Sequence, residues 1–300
     1  MSETAIVTPP LTLRDRMVIG TVRALGKPAL ALIGDARVIR GLTNPPAKWL
    51  KFCPAGSKVT EDEDGSLRVA PPGIGPDAPW LIYLHGGGFL AGSPYTHLGL
   101  AGHLAGFAGM NAYIPAYGLA PERPFPAGRD DLYAKYKTHV DRYGPPAALC
   151  GDSAGGNLTL LVAQHARDSG WPLPGALGLL SPVADLSEDI AERMQGATDE
   201  MLFPQHRLYQ IRDTYLQGHD PRDPGASPLL GDVTGLPPTL IQASAVEAAA
   251  PDAKALGEKM DNAQVQLWDG LPHVWQIFVG RAPVADAALR AMAAFLADPS

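Results

Sequence analysis

Residues 151–156 read Gly-Asp-Ser-Ala-Gly-Gly and place Ser153 at the centre of a Gly-x-Ser-x-Gly run. A serine hydroxyl becomes a useful nucleophile when a sharp strand-to-helix turn pushes its oxygen out of the backbone. The flanking glycines then let the two elements approach closely. The surrounding sequence supplies both elements. Ala147-Ala148-Leu149-Cys150 is a short apolar run suited to a buried strand, and Asn157 to Ala163 continues as a helix. The free N–H groups at that helix start favour negative charge nearby.

A second run, His85-Gly86-Gly87-Gly88-Phe89, follows the apolar strand Trp80-Leu81-Ile82-Tyr83-Leu84. Acyl transfer needs donors fixed where a carbonyl oxygen acquires charge, and glycine backbone can present N–H groups without obstruction. Gly87, Gly88 and Ala154 are the expected oxyanion donors. A phosphate-binding loop would carry Lys-Ser/Thr or Gly-x-Gly-x-x-Gly, and neither spacing occurs here.

A serine nucleophile also needs a base and an acid to orient it. His273 lies in a loop after the apolar strand Val265-Gln266-Leu267-Trp268 and is the last histidine of the chain. His97, His103, His139 and His165 fall in helical stretches and read as surface or core residues, while His85 reads as orienting the glycine loop. Three acids compete for the third role. Glu247 follows the strand Pro238–Gln242, at the end where ligand-facing groups of open α/β sheets collect, and ranks first. Asp252 opens a helix, where the dipole explains an acid, and Asp269 sits in its own turn.

These residues need rigid supports. Short apolar strands alternate with helices, and 33 glycines with 30 prolines suit many tight connections. The first 45 or so residues read as helical, with Leu11 to Ile19 amphipathic and an end at Asn44-Pro45-Pro46. The stretch from 183 to 225 is helical, irregular and rich in Met and charge.

Composition narrows the class. Three hundred residues, 46% hydrophobic, can bury one large core. A formal net charge of −7 argues against nucleic acid or an anionic membrane as partner. Cys53 and Cys150 form no disulfide framework, and Cys150 reads as a small core residue. No basic-then-apolar leader and no apolar run near ~18 residues is present, so the expectation is a soluble cytoplasmic protein. No metal-ligand cluster, repeat or heptad pattern appears, and no metal or cofactor is called for.

The chain resembles the hormone-sensitive lipase group of α/β-hydrolases, bacterial esterases marked by His-Gly-Gly-Gly and Gly-Asp-Ser-Ala-Gly. Further matching segments are Tyr117 to Ala127, Ser181 to Leu186, Ala226 to Leu229 and Leu236 to Gln242. Two positions depart from it: Gly118 replaces an arginine and Ala116 an acid, removing charges that usually tie down that loop. The acid segment is also altered, with Ala248-Ala249-Ala250-Pro251 between Glu247 and Asp252.

The resemblance implies a mostly parallel eight-stranded sheet flanked by helices. It assigns residues 1–48 and 183–225 to a helical cap, and 49–182 and 226–300 to the α/β-hydrolase core. It implies a serine carboxylesterase acting on short- to medium-chain acyl esters through Ser153, Glu247 and His273, with a small-molecule ester as partner and edge strands available for a homodimer. A specialised deacetylase or amidase on the same triad is the alternative. A non-catalytic ligand receptor on this fold would lack the histidine, which this chain has. Phe89, Met17, Met201, Phe203, Tyr209, Val274 and Trp275 are the candidate pocket lining, although cap-to-core packing explains any one cap residue as well.

Overall fold

The apolar runs read as strands are buried on both faces: every residue of Ala148–Asp152, Ala176–Leu180 and Thr239–Ser244 is inaccessible. That is the mark of parallel strands covered by helices on each side. The computed structural model describes residues 3–50 and 52–299. In chain order the elements are β1 (Glu3–Val7), α1 (Leu13–Thr21), a π-helical turn (Val22–Gly26), α2 (Lys27–Leu32), α3 (Ala36–Leu50), β2 (Lys58–Glu61), β3 (Leu67–Ala70), β4 (Trp80–Leu84), α4 (Leu98–Ala108) and β5 (Asn111–Ile114). They continue with α5 (Ala127–Tyr143), β6 (Ala148–Asp152), α6 (Ala154–Asp168), β7 (Ala176–Leu180), α7 (Ile190–Gly196), α8 (Gln205–Leu216), β8 (Thr239–Ser244), α9 (Ala250–Lys259), β9 (Ala263–Trp268) and α10 (Pro283–Ala297).

The strands form one sheet in the order β1-β9-β8-β7-β6-β4-β5-β3-β2, parallel throughout except at β3, which runs against both β5 and β2. One core lies between the sheet and α5, α6 and α9, with Leu132, Leu158 and Leu256 at its centre. The other lies under α4 and α10, around Leu104, Leu289 and Met292.

Four expectations for the sheet and the N-terminal segment are corrected. The sheet has nine strands among the described residues, not eight, because β1 adds in parallel to β9, from Glu3 opposite Gln264 to Val7 opposite Trp268. The N-terminal segment is therefore not helical throughout. Its last helix, α3, does not stop at Asn44 but runs through Pro45 and Pro46 to Leu50. The φ of proline suits a helix, and the cost is two amide donors together with the crowding of each ring against the carbonyl four residues back. Finally, α1 buries only Asp15 and Ile19 and leaves Leu13 and Met17 exposed. It is held by a polar contact instead: Asp15 closes a capping box with Thr12 and accepts the Val284 N–H at the start of α10, at 3.0 Å.

Candidate active site

Ser153 connects β6 directly to α6 with φ 52° and ψ −118°, a conformation that L-residues avoid. The turn closes only because position 155 carries no side chain: a Cβ there would lie 2.0 Å from the Leu84 carbonyl oxygen. The strain aims Oγ away from the sheet, where it meets Nε2 of His273 at 2.9 Å. On the far side of the ring, Nδ1 of His273 donates to Oε2 of Glu247 in a very short contact. The second Glu247 oxygen accepts the Ser244 N–H at 2.7 Å, so both carboxylate oxygens are fixed.

Glu247 is 2% exposed, and the His273 side chain 7%. Burial would lower the basicity of His273, but the Glu247 charge and hydrogen bond outweigh it and hold the imidazole above its ordinary value. The His273 loop is itself anchored. Ser244 Oγ donates to the Leu271 carbonyl at 2.6 Å, and Val274 N–H reaches Ser181 Oγ at 3.3 Å. Val274 adopts φ 50°, an outlier for a β-branched residue and a local cost of placing His273.

The other two acid candidates stand elsewhere. Asp252 is fully buried and accepts the Ala184 N–H at 2.6 Å and the Asp185 N–H at 3.2 Å, while its other oxygen binds Arg193 at 2.7 Å. It ties the first residues after β7 to helix α7. Asp269 is exposed, and its backbone N–H pairs with Val7.

The glycine loop lies against the nucleophile turn. Gly87 has φ 120°, and a Cβ there would come within 2.2 Å of the Ala91 carbonyl oxygen. The Gly87 and Gly88 N–H groups have no backbone acceptor among the described residues, and Ala154 N–H begins helix α6. Asp152, the residue before Ser153, holds the loop from below. It accepts Tyr83 Oη at 2.7 Å and Gly86 N–H at 3.0 Å.

The arrangement brings a hydroxyl, an imidazole and a carboxylate into one relay beside free backbone donors. These are the parts required for acyl transfer through a covalent intermediate. Comparison with known proteins agrees. The family model described as alpha/beta hydrolase fold matches residues 81–277. The chain is 38% identical over 226 residues to an acetyl-hydrolase of Streptomyces hygroscopicus, covering 73% of this chain and 76% of that protein. It is 33% identical to an esterase of Acinetobacter venetianus, covering 72% and 73%. It superposes with a TM-score of 0.86 and 32% identity on a crystal structure of an esterase from the bacterial hormone-sensitive lipase family, over 96% of this chain and 99% of that one. The chain is an α/β-hydrolase of the hormone-sensitive lipase group.

Several parts of this hydrolase's site were not read from the sequence. His97, read as an ordinary helix residue, stands at the residue before α4, is buried, and pairs with Asp152 through Nε2 at 3.3 Å. Burial opposes both charges, yet each partner favours the other's ionised form: Asp152 is held below the usual carboxylate range and His97 above the usual imidazole range. His85, in contrast, is pushed down to about 3, by burial first and by His97 second. It stacks on Tyr117 with ring centroids 4.3 Å apart and stays neutral.

Glu200 is the other addition. Its Oε1 accepts the Leu202 and Phe203 N–H groups at 2.9 and 3.0 Å, and its Oε2 accepts Ala248 N–H at 3.0 Å. One carboxylate thus clips the 200–203 segment to the residue after Glu247. It also places Phe203 edge-on to His273, with centroids 5.3 Å apart.

Of the candidate lining residues, Phe89, Phe203 and Val274 face cavities that reach Ser153. Met17, Met201, Tyr209 and Trp275 do not line them. Met17 is 64% exposed, whereas Met201 and Trp275 are buried with Trp268 and Leu271 in a separate cluster. Tyr209 lies under the Arg212 guanidinium, 5.4 Å from the ring centroid. Period and composition put these residues in the right segments, but which face turns inward is set by tertiary packing.

The Gly118 loop is held by other charges. The Arg123 side chain covers the space above Gly118 and pairs with Asp131, which also accepts Gly118 N–H at 2.9 Å. Arg40 and Arg37 of α3 both bind Glu122, at 2.7 and 2.8 Å.

Proposed function

We propose that Ser153, His273 and Glu247 are the catalytic triad of this carboxylic ester hydrolase, with Gly87, Gly88 and Ala154 supplying the oxyanion hole. The observation that carries the reading is the continuous contact from Ser153 Oγ through both His273 nitrogens to Glu247. His273 Nε2 takes the Ser153 proton as Oγ attacks the ester carbonyl carbon. The carbonyl oxygen becomes an oxyanion facing the three N–H groups. When the tetrahedral adduct collapses, the alkoxide leaves and takes the proton from His273, and the acyl group remains on Oγ. Water then repeats the sequence, delivering its proton to His273 and releasing the acid. Glu247 holds the proton of neutral His273 on Nδ1 and stabilises the imidazolium at each transfer. No step needs a metal or cofactor.

In this reading residues 8–48 and 183–225 form a cap over the core of residues 49–182 and 226–300; the cap expected from residue 1 is corrected at its start, because β1 (Glu3–Val7) is a strand of the core sheet. The substrates are short- to medium-chain acyl esters. The cap excludes water from the reacting atoms. The acetyl-hydrolase relative supports acetyl esters among them, with amide cleavage by the same triad as the second reading. Cytoplasmic residence rests on Cys53 and Cys150, both of which are free thiols. Among the described residues no helix is long and apolar enough to cross a membrane. A homodimer would have to use a surface other than the β9 edge, which β1 occupies. The test is turnover of p-nitrophenyl acetate and butyrate. Ser153→Ala is expected to reduce kcat by about 10³ or more, and unchanged turnover would remove the triad.

A further inference from the structure

The cavities around Ser153 are unequal, and their shapes define which half of an ester can be large. On one side Ser153 and His273 face a narrow chamber of about 90 Å³, walled by Phe89, Val183, Leu186, Phe203, Leu208 and Ile211. On the other side the same two residues face a wider chamber of about 340 Å³ that includes Val22, Ile39, Leu202, Ile277 and Phe278. A third space of about 460 Å³, reaching Leu30, Ile33, Gln210 and Thr214, adjoins the wide chamber at Ile39, Gly87 and Ala91. Phe203 and Ile211 border both this third space and the narrow chamber. Ile211 sits tightly on the glycine loop, with Cγ2 3.1 Å from the position a Gly88 Cβ would take.

We infer that the narrow chamber takes the acyl group and limits it to about four carbons, narrowing the acyl range proposed above to its short end, that the wide chamber takes a bulky alcohol, and that Ile211 is the partition that sets the limit. This rests on the triad reading above. The order of events assigns the two sides. The alcohol departs first, while the acyl group is still bonded to Ser153, and water must enter the space it vacates. The leaving group therefore belongs in the wide, more open chamber.

The volume sets the length. A cavity of about 150 Å³ takes one six-carbon benzene ring, so 90 Å³ takes roughly four carbons in proportion. The narrow chamber also has a charged wall. Arg193 borders it, bound to Glu188 at 2.8 Å and to Asp252 at 2.7 Å. A longer alkyl chain would have to lie against that buried ion pair.

The experiment compares kcat/KM for p-nitrophenyl acetate, butyrate and octanoate, and for 1-naphthyl acetate, in the wild type, Ser153→Ala, Ile211→Ala and Leu208→Ala. In the wild type, octanoate is expected at least 10²-fold below butyrate, and 1-naphthyl acetate within tenfold of p-nitrophenyl acetate. Ile211→Ala joins the narrow chamber to the third space and raises the octanoate-to-acetate ratio at least tenfold. Leu208→Ala, which enlarges the narrow chamber alone, moves the cut-off by one or two carbons. A wild-type profile flat from acetate to octanoate overturns the inference, as does an unchanged ratio in both variants. Undiminished turnover by Ser153→Ala strikes the triad instead, so the two failures are separable.

Discussion

Replacing Glu247 by glutamine tests the relay at its most informative atom. The glutamine oxygen can keep the bond from Ser244 N–H that Glu247 Oε1 accepts at 2.7 Å. Its amide then turns an NH₂ donor toward His273 Nδ1, where the native carboxylate accepts. A donor facing Nδ1 forces the ring proton onto Nε2, and Nε2 is the atom 2.9 Å from Ser153 Oγ. The imidazole can then no longer take the serine proton, although every heavy atom stays in place. In serine proteases the corresponding change from acid to amide lowers kcat by about 10⁴. At 1.36 kcal/mol per tenfold, that is about 5.5 kcal/mol of transition-state stabilisation. The expectation here is a loss of 10³–10⁴ in kcat with KM within about threefold, measured on p-nitrophenyl butyrate. Asp252→Asn serves as the contrast. It disturbs the Arg193 contact and the Ala184 turn, so it should lower stability and raise KM while leaving the pH profile of kcat in place. The reasoning is falsified if Glu247→Gln keeps more than a tenth of wild-type kcat.

Three further outcomes follow from the same contacts. Catalysis needs neutral His273, whose basicity is raised, so kcat/KM should fall as pH drops through a value above the ordinary 6.5. In Glu247→Gln the limb of the residual activity should move to lower pH, because burial is then opposed only by the weaker effects of the Glu200 and Asp152 charges; titration of kcat/KM against pH checks both. Gly87→Ala, whose Cβ would meet the Ala91 carbonyl at 2.2 Å, should cost at least about 10² in kcat with a folded circular-dichroism spectrum. His97→Gln leaves Asp152 buried without its cation and should destabilise the protein by about 3–5 kcal/mol, read by denaturant unfolding. The sign with pH differs for the two partners. His97, raised on folding, adds stability that is full below 6.5 and is lost as pH rises through its folded value. Asp152, depressed on folding, adds stability present above 3.8 and lost as pH falls through its folded value. The variant should therefore lose the His97 share of the decline in stability above pH 6.5, while the share from His273, also raised on folding, remains.

The nucleophile, base and glycine loop were legible because each is a local pattern with a local cause: a glycine where an added Cβ would come within 2.0 Å of a backbone oxygen, or a histidine in the loop after a strand. The alternation of strand and helix was legible for the same reason. What could not be read depends on partners far apart in sequence. Glu200 sits 48 residues before Ala248, and nothing around it signals a buried carboxylate. His97 occupies a helix start, and only the fold brings it beneath the nucleophile turn. Asp252 looked like a dipole-satisfying acid, and its true partner is an arginine 59 residues earlier. Met17 and Tyr209 failed as lining because helical periodicity locates a stripe, not the direction in which the helix is docked. β1 was missed because Glu-Thr-Ala-Ile-Val is five residues long and earns its strand only by pairing with β9.

That pairing also constrains the order in which the molecule can be made. β1 is made before every other strand of the sheet, but its partner, Gln264 to Trp268, is synthesised some 260 residues later. At 5–20 residues per second the wait is roughly 13–50 s. Throughout it the sheet can grow from β2 to β8, while its eventual terminal strand hangs unpaired from the chain that became α1. Closing the sheet then requires β1 to dock onto β9, with Asp15 reaching Val284 as the two strands meet. A nascent chain stalled before residue 264 would present β8 as an open parallel edge, and this is the stage at which the protein is most exposed to mispairing with its neighbours on the same message.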